Sequence, residues 1–507
     1  MAVFSSKDLM QATMAKLNQV ITGGDQYAPA NANNFVSWMT PGIPFAPQDF
    51  AFLEKGYNGK TAEETRLLIQ SAADFAQFAD LVPDPTAVYN MQAGQTLDRN
   101  SQERLSSIYS NILRFAKVTN LEPTETEKKK LDKFRKLLYT TKKVTDIITD
   151  EVREEVVEGP VKQAYNEKMQ AYEDAALLYN TKRLNAMTSD MKEAVIDFSL
   201  NASTYRNKVK AAMNAWQTAG YKNQVEDMEA YIAQVTGRSM SAWMAELRDT
   251  LDKAQFTDSS SNMSFFPARL YPANFIKKSW PKYSFSQNEV TTHLKESTTK
   301  WNVDGGLNLG LWSVGAKADG THTRSNETFS SNDFSMEFEL CQVKILRPWL
   351  GTELFSCRGW KLDNTWSFGD RLLSPKGEPL LSNGGTPPKG SFIAYSTSAI
   401  FARNLKVKFN EEAWQKSAIR NQIGAGANVG WGPFRIGGGF STDNSQKDFH
   451  SLVTKQGFEC PDIQLIGFVN RLVGVCPNTD PNAKFDEEPA AKPATKSKTK
   501  AKAAVAR

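Results

Sequence analysis

Two short stretches, Gly306-Leu-Asn-Leu-Gly310 and Gly426-Ala-Asn-Val-Gly430, share one layout and stand 120 residues apart. The apolar pair Val343-x-Ile345 recurs 120 residues later as Ile463-x-Leu465. The cysteines keep this order at an offset of 119, as Cys341 and Cys357 and then Cys460 and Cys476. Ordered agreement of several spacings predicts an internal repeat of about 120 residues.

Each Gly-rich stretch lies in a segment where apolar and polar residues alternate. A period of two predicts a β-strand with one apolar face, and glycine within a strand is typical of a bulge, a bend or a close backbone approach. We therefore predict hairpins near residues 301–320 and 421–442. Their candidate membrane or oligomer face consists of Val303, Leu307, Leu309, Leu311, Ile423, Val429, Trp431 and Phe434.

Two interpretations of this hairpin face stay open. In the first, the strands belong to a sandwich or layered sheet that buries its apolar side on the chain's own core. In the second, the hairpins leave the core, associate between copies and enter a membrane, with the apolar face toward lipid and the polar face toward a lumen. Alternation of apolar and polar residues is typical of strands in both kinds of structure.

The first half of the chain is predicted to be mostly helical. Residues 1–58 contain frequent Gly, Pro and Asn and are predicted to be irregular. Helical spacing of apolar residues then predicts helices at about 61–79, 98–118, 125–150, 160–188, 190–219 and 224–255. The third of these helices starts at Thr124-Glu-Thr-Glu127, which is a capping-box pattern.

Tyr165, Tyr172 and Tyr179 recur every seven residues in one of these helices. This spacing predicts a seam that packs along another long helix. The partner helix could belong to the same chain, as the core of a helical bundle, or to a second copy. Both possibilities stay open for this candidate association seam.

The positive charge of the chain is concentrated at its end. From residue 489 to residue 507 the sequence has no acidic residue, one arginine and five lysines, Lys492, Lys496, Lys498, Lys500 and Lys502. A Lys- and Ala-rich segment without aromatic residues cannot form a core, so a disordered tail is predicted. Its lysines are candidate contacts for a non-specific polyanion or an anionic membrane; a purely solubilising tail is the alternative.

These patterns predict an α+β protein with an elongated helical bundle, followed by a mostly antiparallel β region made of two repeats and by a disordered basic tail. The expected division is an irregular segment 1–58, a long-helix bundle 59–256, β repeats 265–375 and 390–482, and the tail 485–507. Four cysteines are too few for a disulfide scaffold, which favours reduced, buried thiols.

Recognisable catalytic patterns are missing from the sequence. The histidines His293, His322 and His450 do not stand at metal-ligand spacing. The sequence contains no phosphate-binding loop and no nucleophile elbow. We therefore expect neither a metal nor a cofactor, no specific small-molecule substrate and no enzymatic activity.

The functional prediction is a structural or interaction protein that self-associates or joins a larger assembly. A membrane-active, pore-forming protein that inserts the two hairpins is the alternative, and an enzyme of unrecognised type is the second alternative. The sequence shows no signal peptide and no apolar run of about 18 residues. A cytoplasmic location is therefore expected, with non-classical secretion left open.

Overall fold

The structure is a computed structural model of the 507-residue chain. It describes residues 3–485 except for the segments 24–27, 30, 32, 84–94, 98–103, 120–123, 146–151, 189–191, 237–239, 259–262, 301–310, 315–321, 326–327, 331–333, 364–371, 387, 442–445, 448 and 484. The predicted tail, apart from Phe485, therefore lies outside the described residues.

The helices of the described residues are α1 (Ser6–Thr22), α2 (Phe52–Lys55), α3 (Ala62–Ala79), α4 (Leu105–Phe115), α5 (Glu125–Leu138), α6 (Pro160–Thr188), α7 (Lys192–Thr218), α8 (Lys222–Thr236), α9 (Met240–Ala254), α10 (Gln287–Lys300), α11 (Glu411–Gln415) and α12 (Ala418–Gly424). Short 3-10 helices are formed by Pro47–Phe50, Phe275–Lys277 and Thr352–Ser356.

The strands of the described residues are β1 (Val3–Ser5), β2 (Asn34–Phe45), β3 (Gln95–Leu97), β4 (Ala116–Val118), β5 (Tyr139–Thr145), β6 (Val152–Glu158), β7 (Phe256–Asp258), β8 (Met263–Phe265), β9 (Arg269–Tyr271), β10 (Lys282–Ser286), β11 (Leu311–Val314), β12 (His322–Ser325), β13 (Thr328–Ser330), β14 (Ser335–Leu346), β15 (Trp360–Leu362), β16 (Leu372–Leu373), β17 (Pro379–Leu380), β18 (Ser382–Asn383), β19 (Ala394–Lys408), β20 (Asn428–Trp431), β21 (Phe434–Gly437), β22 (Phe440–Ser441), β23 (Gln446–Lys447), β24 (Leu452–Val453), β25 (Gly457–Cys460), β26 (Ile463–Leu472) and β27 (Val475–Cys476).

A large sheet forms the centre of the molecule. Its main strand order is β10-β14-β19-β26-β2-β3, and β25 pairs with β19 beyond the end of β26. The pairs along this order are antiparallel except β2 with β3. Because β2 pairs with β26, residues 34–45 and residues 463–472 are neighbours in this sheet although they lie far apart in the sequence.

The central sheet is covered on both faces. Along β14, Met336, Phe338 and Leu340 belong to one apolar core, which also contains residues of α1, α6 and α12. Val343 and Ile345 belong to a second core, on the side of α3. Alternation along a strand places successive side chains on opposite faces, so the sheet separates these two cores.

The helical half follows the predicted periodicity with local differences. Helices α6 and α7 lie close to the predicted 160–188 and 190–219, but α5 ends at Leu138 and the hairpin β5-β6 follows it. The segment Tyr139–Thr145 contains three threonines, one tyrosine and one valine, all of which favour strands. The capping box at Thr124 and Glu127 is confirmed. The predicted helix at 224–255 is divided into α8 and α9.

Residues 1–58, predicted to be irregular, contain α1 and the long strand β2. Helix α1 buries apolar and polar side chains on all sides, so it lacks the polar face by which sequence periodicity identifies a helix. The structure is a mixture of helix (48%) and strand (28%), which confirms the α+β class. The elongated bundle and the duplication stay predictions.

Candidate functional site

Two segments of equal length interrupt the central sheet. The first joins β10 to β14 and comprises residues 287–334, which is 48 residues. The second joins β19 to β25 and comprises residues 409–456, also 48 residues. We call them insert 1 and insert 2. Each is closed at its base by a directly paired couple of residues, Ser286 with Ser335 and Lys408 with Gly457.

Both inserts leave the sheet from the same row. Ser335, where insert 1 ends, is paired on its other side with Lys408, where insert 2 begins. The four residues Ser286, Ser335, Lys408 and Gly457 therefore lie side by side on adjacent antiparallel strands. The two inserts begin and end at one common level of the sheet.

The two inserts also pair with each other. Strand β11 of insert 1 is antiparallel to β20 of insert 2, with Leu311 opposite Trp431 and Val314 opposite Asn428. Strands β12 and β21 extend this pair to a four-stranded sheet in the order β12-β11-β20-β21. The strands that the sequence placed in separate hairpins thus share one small sheet.

The structure distributes the predicted hairpin face as follows. Val429, Trp431 and Phe434 are buried in the core beside α1 and the central sheet. Leu311 is in β11, although its side chain is not among those described. Val303, Leu307 and Leu309 lie outside the described residues.

Ile423 lies in a helix, in contrast to the predicted strand. Ser417 caps α12 by accepting a hydrogen bond from the backbone N–H of Arg420 at 3.1 Å. Ile419 and Ile423 are four residues apart and both buried, so they lie on one face of the helix. The alternation of Ile423 with small residues therefore resulted from a short helix followed by a strand.

Helix α1 and strand β1 contact both inserts. Strand β1 pairs with β13 of insert 1, with Val3 opposite Ser330. In insert 2, Trp431 Nε1 donates a buried hydrogen bond to the Ser6 carbonyl at 2.9 Å. Residues 3–22, which we call the N-terminal clamp, therefore hold the two inserts at the same time.

A buried ion pair strengthens the contact with insert 1. Lys16 Nζ lies 2.6 Å from Glu289 Oε1, and both side chains are fully excluded from solvent. Lys16 Nζ also donates to the Ser284 carbonyl at 2.7 Å and lies over the Tyr283 ring. The other carboxylate oxygen of Glu289 accepts from the Ser286 backbone N–H at 2.9 Å, at the start of α10.

The charges of this pair depend on each other. Burial lowers the pKa of Lys16, and the charge of Glu289 and its hydrogen bond to Lys16 oppose that shift. Removing one partner of a buried ion pair leaves an uncompensated charge and costs about 3–5 kcal/mol. The clamp and insert 1 are therefore strongly coupled through Lys16 and Glu289.

The tyrosine seam of α6 faces α7 of the same chain. The Tyr165 and Tyr172 rings lie 5.4 and 5.7 Å from the Trp216 ring, measured between centroids. Tyr179 lies 6.2 Å from Phe198. In this conformation the three tyrosines take part in contacts within the chain.

A second face of α6 is polar and contacts the central sheet. Gln170 accepts a hydrogen bond from the Lys344 backbone N–H at 3.3 Å and donates to the Gln342 carbonyl at 3.4 Å, and Asn166 bonds the Lys344 ammonium group. Glu173 is half-buried as a residue, whereas its Oε2 oxygen is screened from solvent. Burial raises the pKa of Glu173 to about 7 and lowers the pKa of Lys344 to about 8.

The cysteines, the possible metal ligands and the helix lengths bear on the chemistry that the sequence predicts. The four cysteines are free thiols, and Cys357, Cys460 and Cys476 are buried. Within the described residues, no group of three or more His, Cys, Asp or Glu side chains is arranged to hold a metal ion. None of the helices in that part of the chain is long and apolar enough to cross a membrane.

The sequence predicted strands within the inserts but not the contacts that hold the inserts in place. Lys16 and Glu289 are 273 residues apart, and no local pattern connects a single lysine to a single glutamate at that distance. No protein-family model, curated protein or solved structure matches the chain.

Proposed function

We propose that this chain is a non-enzymatic, membrane-active protein of the pore-forming type, which self-associates and converts its two inserts into hairpins that continue the central sheet. The observation that supports this best is the common row from which two inserts of 48 residues leave the sheet. Four adjacent strands could grow from that row without any change of register.

The length of the inserts fits this conversion. An insert of 48 residues folded into a hairpin gives up to about 24 residues per strand, or roughly 80 Å at about 3.4 Å per residue. A membrane-spanning strand needs about 9–11 residues. Each hairpin could therefore cross the bilayer and still keep a stem above it.

The sequence of the inserts fits as well. Alternating apolar and polar residues around Leu309 and Val429 would give each new strand a lipid side and a water side. Val429, Trp431 and Phe434 would exchange a protein core for lipid, so their apolar surface would stay out of water. One copy supplies four strands, fewer than the roughly eight of the smallest closed membrane pores, so association of several copies belongs to the proposal.

The same pairing supports the proposed duplication. Lys282–Ser286 pairs with the start of β14 as the end of β19 pairs with β25, and the base pairs of the two inserts, Ser286 with Ser335 and Lys408 with Gly457, correspond at an offset of 122 residues. Two copies of one strand–insert–strand unit account for this arrangement.

The test combines dye release with site-specific labels. Purified protein is added to anionic liposomes that contain a quenched dye, and Leu309→Cys and Asn308→Cys are each labelled with an environment-sensitive fluorophore. We expect dye release, a label at 309 that is quenched from within the lipid, and a label at 308 that is quenched by aqueous iodide. Intact liposomes, or equal environments for both labels, would refute the proposal.

A second candidate is an assembly protein that associates without lipid. It is favoured by the exposed side chains of Val195, Ile196 and Leu200 on α7, which are 46%, 56% and 73% exposed. Exposed apolar residues that are contiguous are typical of contact surfaces. Light scattering after size exclusion in plain buffer tests it: a defined oligomer that Ile196→Ser and Leu200→Ser dissociate would support this candidate, and a monomer would refute it.

A further inference from the structure

The outer strand of the four that carry the inserts has one edge facing away from its neighbour. Directly before and directly after β10, the Pro281 carbonyl accepts from the Leu340 N–H, and the Gln287 N–H donates to the Phe334 carbonyl. Backbone groups alternate in direction along a strand, so Lys282, Ser284 and Ser286 turn theirs away from β14. A row of backbone groups that no neighbouring strand pairs can pair with a strand of another molecule once its side-chain partners are removed.

Side chains of two helices cover this edge. The Ser284 carbonyl accepts from Lys16 Nζ of α1 at 2.7 Å, and the Lys282 carbonyl accepts from Asn185 Nδ2 of α6 at 3.5 Å. Lys16 makes the shorter bond and is also the partner of Glu289 in insert 1. The Lys16 ammonium group thus covers the Ser284 carbonyl of the strand edge and also holds the insert.

From this double contact we infer that the N-terminal clamp is an autoinhibitory element whose departure opens the outer edge of β10 at Ser284 to a second copy of the chain and releases insert 1 in the same step. The inference rests on the proposed function and adds its regulation. It means that association and insertion are coupled through Lys16.

The physical reason for the coupling is the cost of a half-made contact. If insert 1 left while α1 stayed, Lys16 would be a buried cation without Glu289, and if α1 left while insert 1 stayed, Glu289 would lack Lys16. Both half-steps cost several kcal/mol. The joint step exposes both groups to water or to new partners and avoids that cost.

A disulfide across the clamp and insert 1 tests the inference. Val3 and Ser330 are directly opposite in the antiparallel pair β1-β13, a separation that a disulfide can bridge. The variant Val3→Cys/Ser330→Cys is oxidised and added to dye-loaded anionic liposomes. We expect release to fall to the level of liposomes without protein and to return after reduction with dithiothreitol.

The control variant has a disulfide in a hairpin that is not expected to move when the clamp departs. Lys142 and Glu155 are opposite each other in the hairpin β5-β6, and Lys142→Cys/Glu155→Cys should release dye in both redox states. If the oxidised clamp variant releases dye as fast as its reduced form, the clamp is not inhibitory, although the proposed function stands. If wild-type protein releases no dye, the proposed function fails, and the inference fails with it.

A second variant covers the case in which the cysteine pair does not fold. Lys16→Met/Glu289→Gln removes both charges and uncovers the Ser284 carbonyl. We expect this variant to oligomerise in lipid-free buffer, as measured by light scattering after size exclusion. A folded monomer with wild-type release kinetics would overturn the inference.

Discussion

Ser335 of β14 lies directly opposite Lys408 of β19, although the first directly follows insert 1 and the second directly precedes insert 2. The two inserts therefore share a starting level, and the backbone spacing between them is already that of neighbouring strands. A conversion of both inserts into strands would continue existing hydrogen-bond ladders. This geometry makes residues 287–334 and 409–456 one functional unit rather than two separate loops.

The buried ion pair predicts a large loss of stability when only one partner is changed. We expect Lys16→Met to lower the free energy of unfolding by about 3–5 kcal/mol, because Glu289 would remain buried without its partner. Adding Glu289→Gln should recover part of this loss. Urea unfolding followed by circular dichroism measures both variants.

The matched control for this pair is Lys416→Met. Lys416 and Glu412 form an ion pair whose side chains are 73% and 79% exposed. Exposed pairs contribute about 0–1 kcal/mol, so this variant should unfold close to wild type. A loss of similar size at both lysines would contradict the assigned role of Lys16.

Gly432 predicts a conflict between insert 2 and the clamp. Its φ is +55°, and a Cβ atom there would lie 2.7 Å from both Cγ and Sδ of Met10. We expect Gly432→Ala to cost roughly 2–3 kcal/mol, from left-handed backbone strain of about 1–2 kcal/mol and from displacement of Met10. Urea unfolding measures the loss.

Gly426 provides the comparison for Gly432. Its φ is +72° and no atom lies within 4 Å of its Cβ position, so Gly426→Ala should show the backbone cost alone, about 1–2 kcal/mol. Combining Gly432→Ala with Met10→Ala should remove the clash but leave a cavity. Equal losses at the two glycines would show that Met10 adjusts without cost.

The polar face of α6 predicts a pH dependence. Burial raises the pKa of Glu173 from 4.5 to about 7, so the folded state binds this proton more tightly than the unfolded state does. The stabilisation is complete below about pH 4.5 and is lost as the pH rises through 7. The pH dependence contributed by Lys344 has the opposite sign. Burial lowers the pKa of Lys344 from 10.5 to about 8, so the stabilisation is present above pH 10.5 and is lost as the pH falls through 8.

Glu173→Gln isolates the acidic part of this dependence. Between pH 5 and 7 the wild-type free energy of unfolding should fall relative to the variant, by at most about 1.4 kcal/mol per pH unit. Glu167→Gln, on an exposed face of the same helix, should follow wild type. Parallel curves for wild type and Glu173→Gln would contradict the assignment.

The basic tail predicts a salt-dependent contact with anionic surfaces. We propose that Lys492, Lys496, Lys498, Lys500 and Lys502 contribute up to about 1 kcal/mol each to binding of anionic vesicles. Deleting residues 489–507 should weaken vesicle sedimentation at low salt and leave binding to neutral vesicles unchanged. Equal sedimentation of both chains would assign the tail to solubility alone.

The sequence predicted elements that depend on local patterns and missed those that depend on distant partners. The limits of α6 and the cap at Thr124 follow from spacing and capping chemistry, and the strand at Val429 follows from alternation. Helix α1 was missed because it is buried on all sides and has no polar face. The shared row of Ser335 and Lys408 needs strand pairing across 73 residues, which no local signal records.

The burial of α1 and β2 also has a consequence for how the chain is made. The hydrogen bond between the Ser6 carbonyl and Trp431 joins residues that are 425 positions apart. Strand β2 likewise pairs with β26, which is formed by residues 463–472. Helix α1 and strand β2 therefore leave the ribosome long before the segments that cover their apolar surface. Apolar segments that lack their partners are prone to aggregate, so we expect chaperones to hold residues 6–45 during synthesis and the core to close only after residues 463–472 have been made.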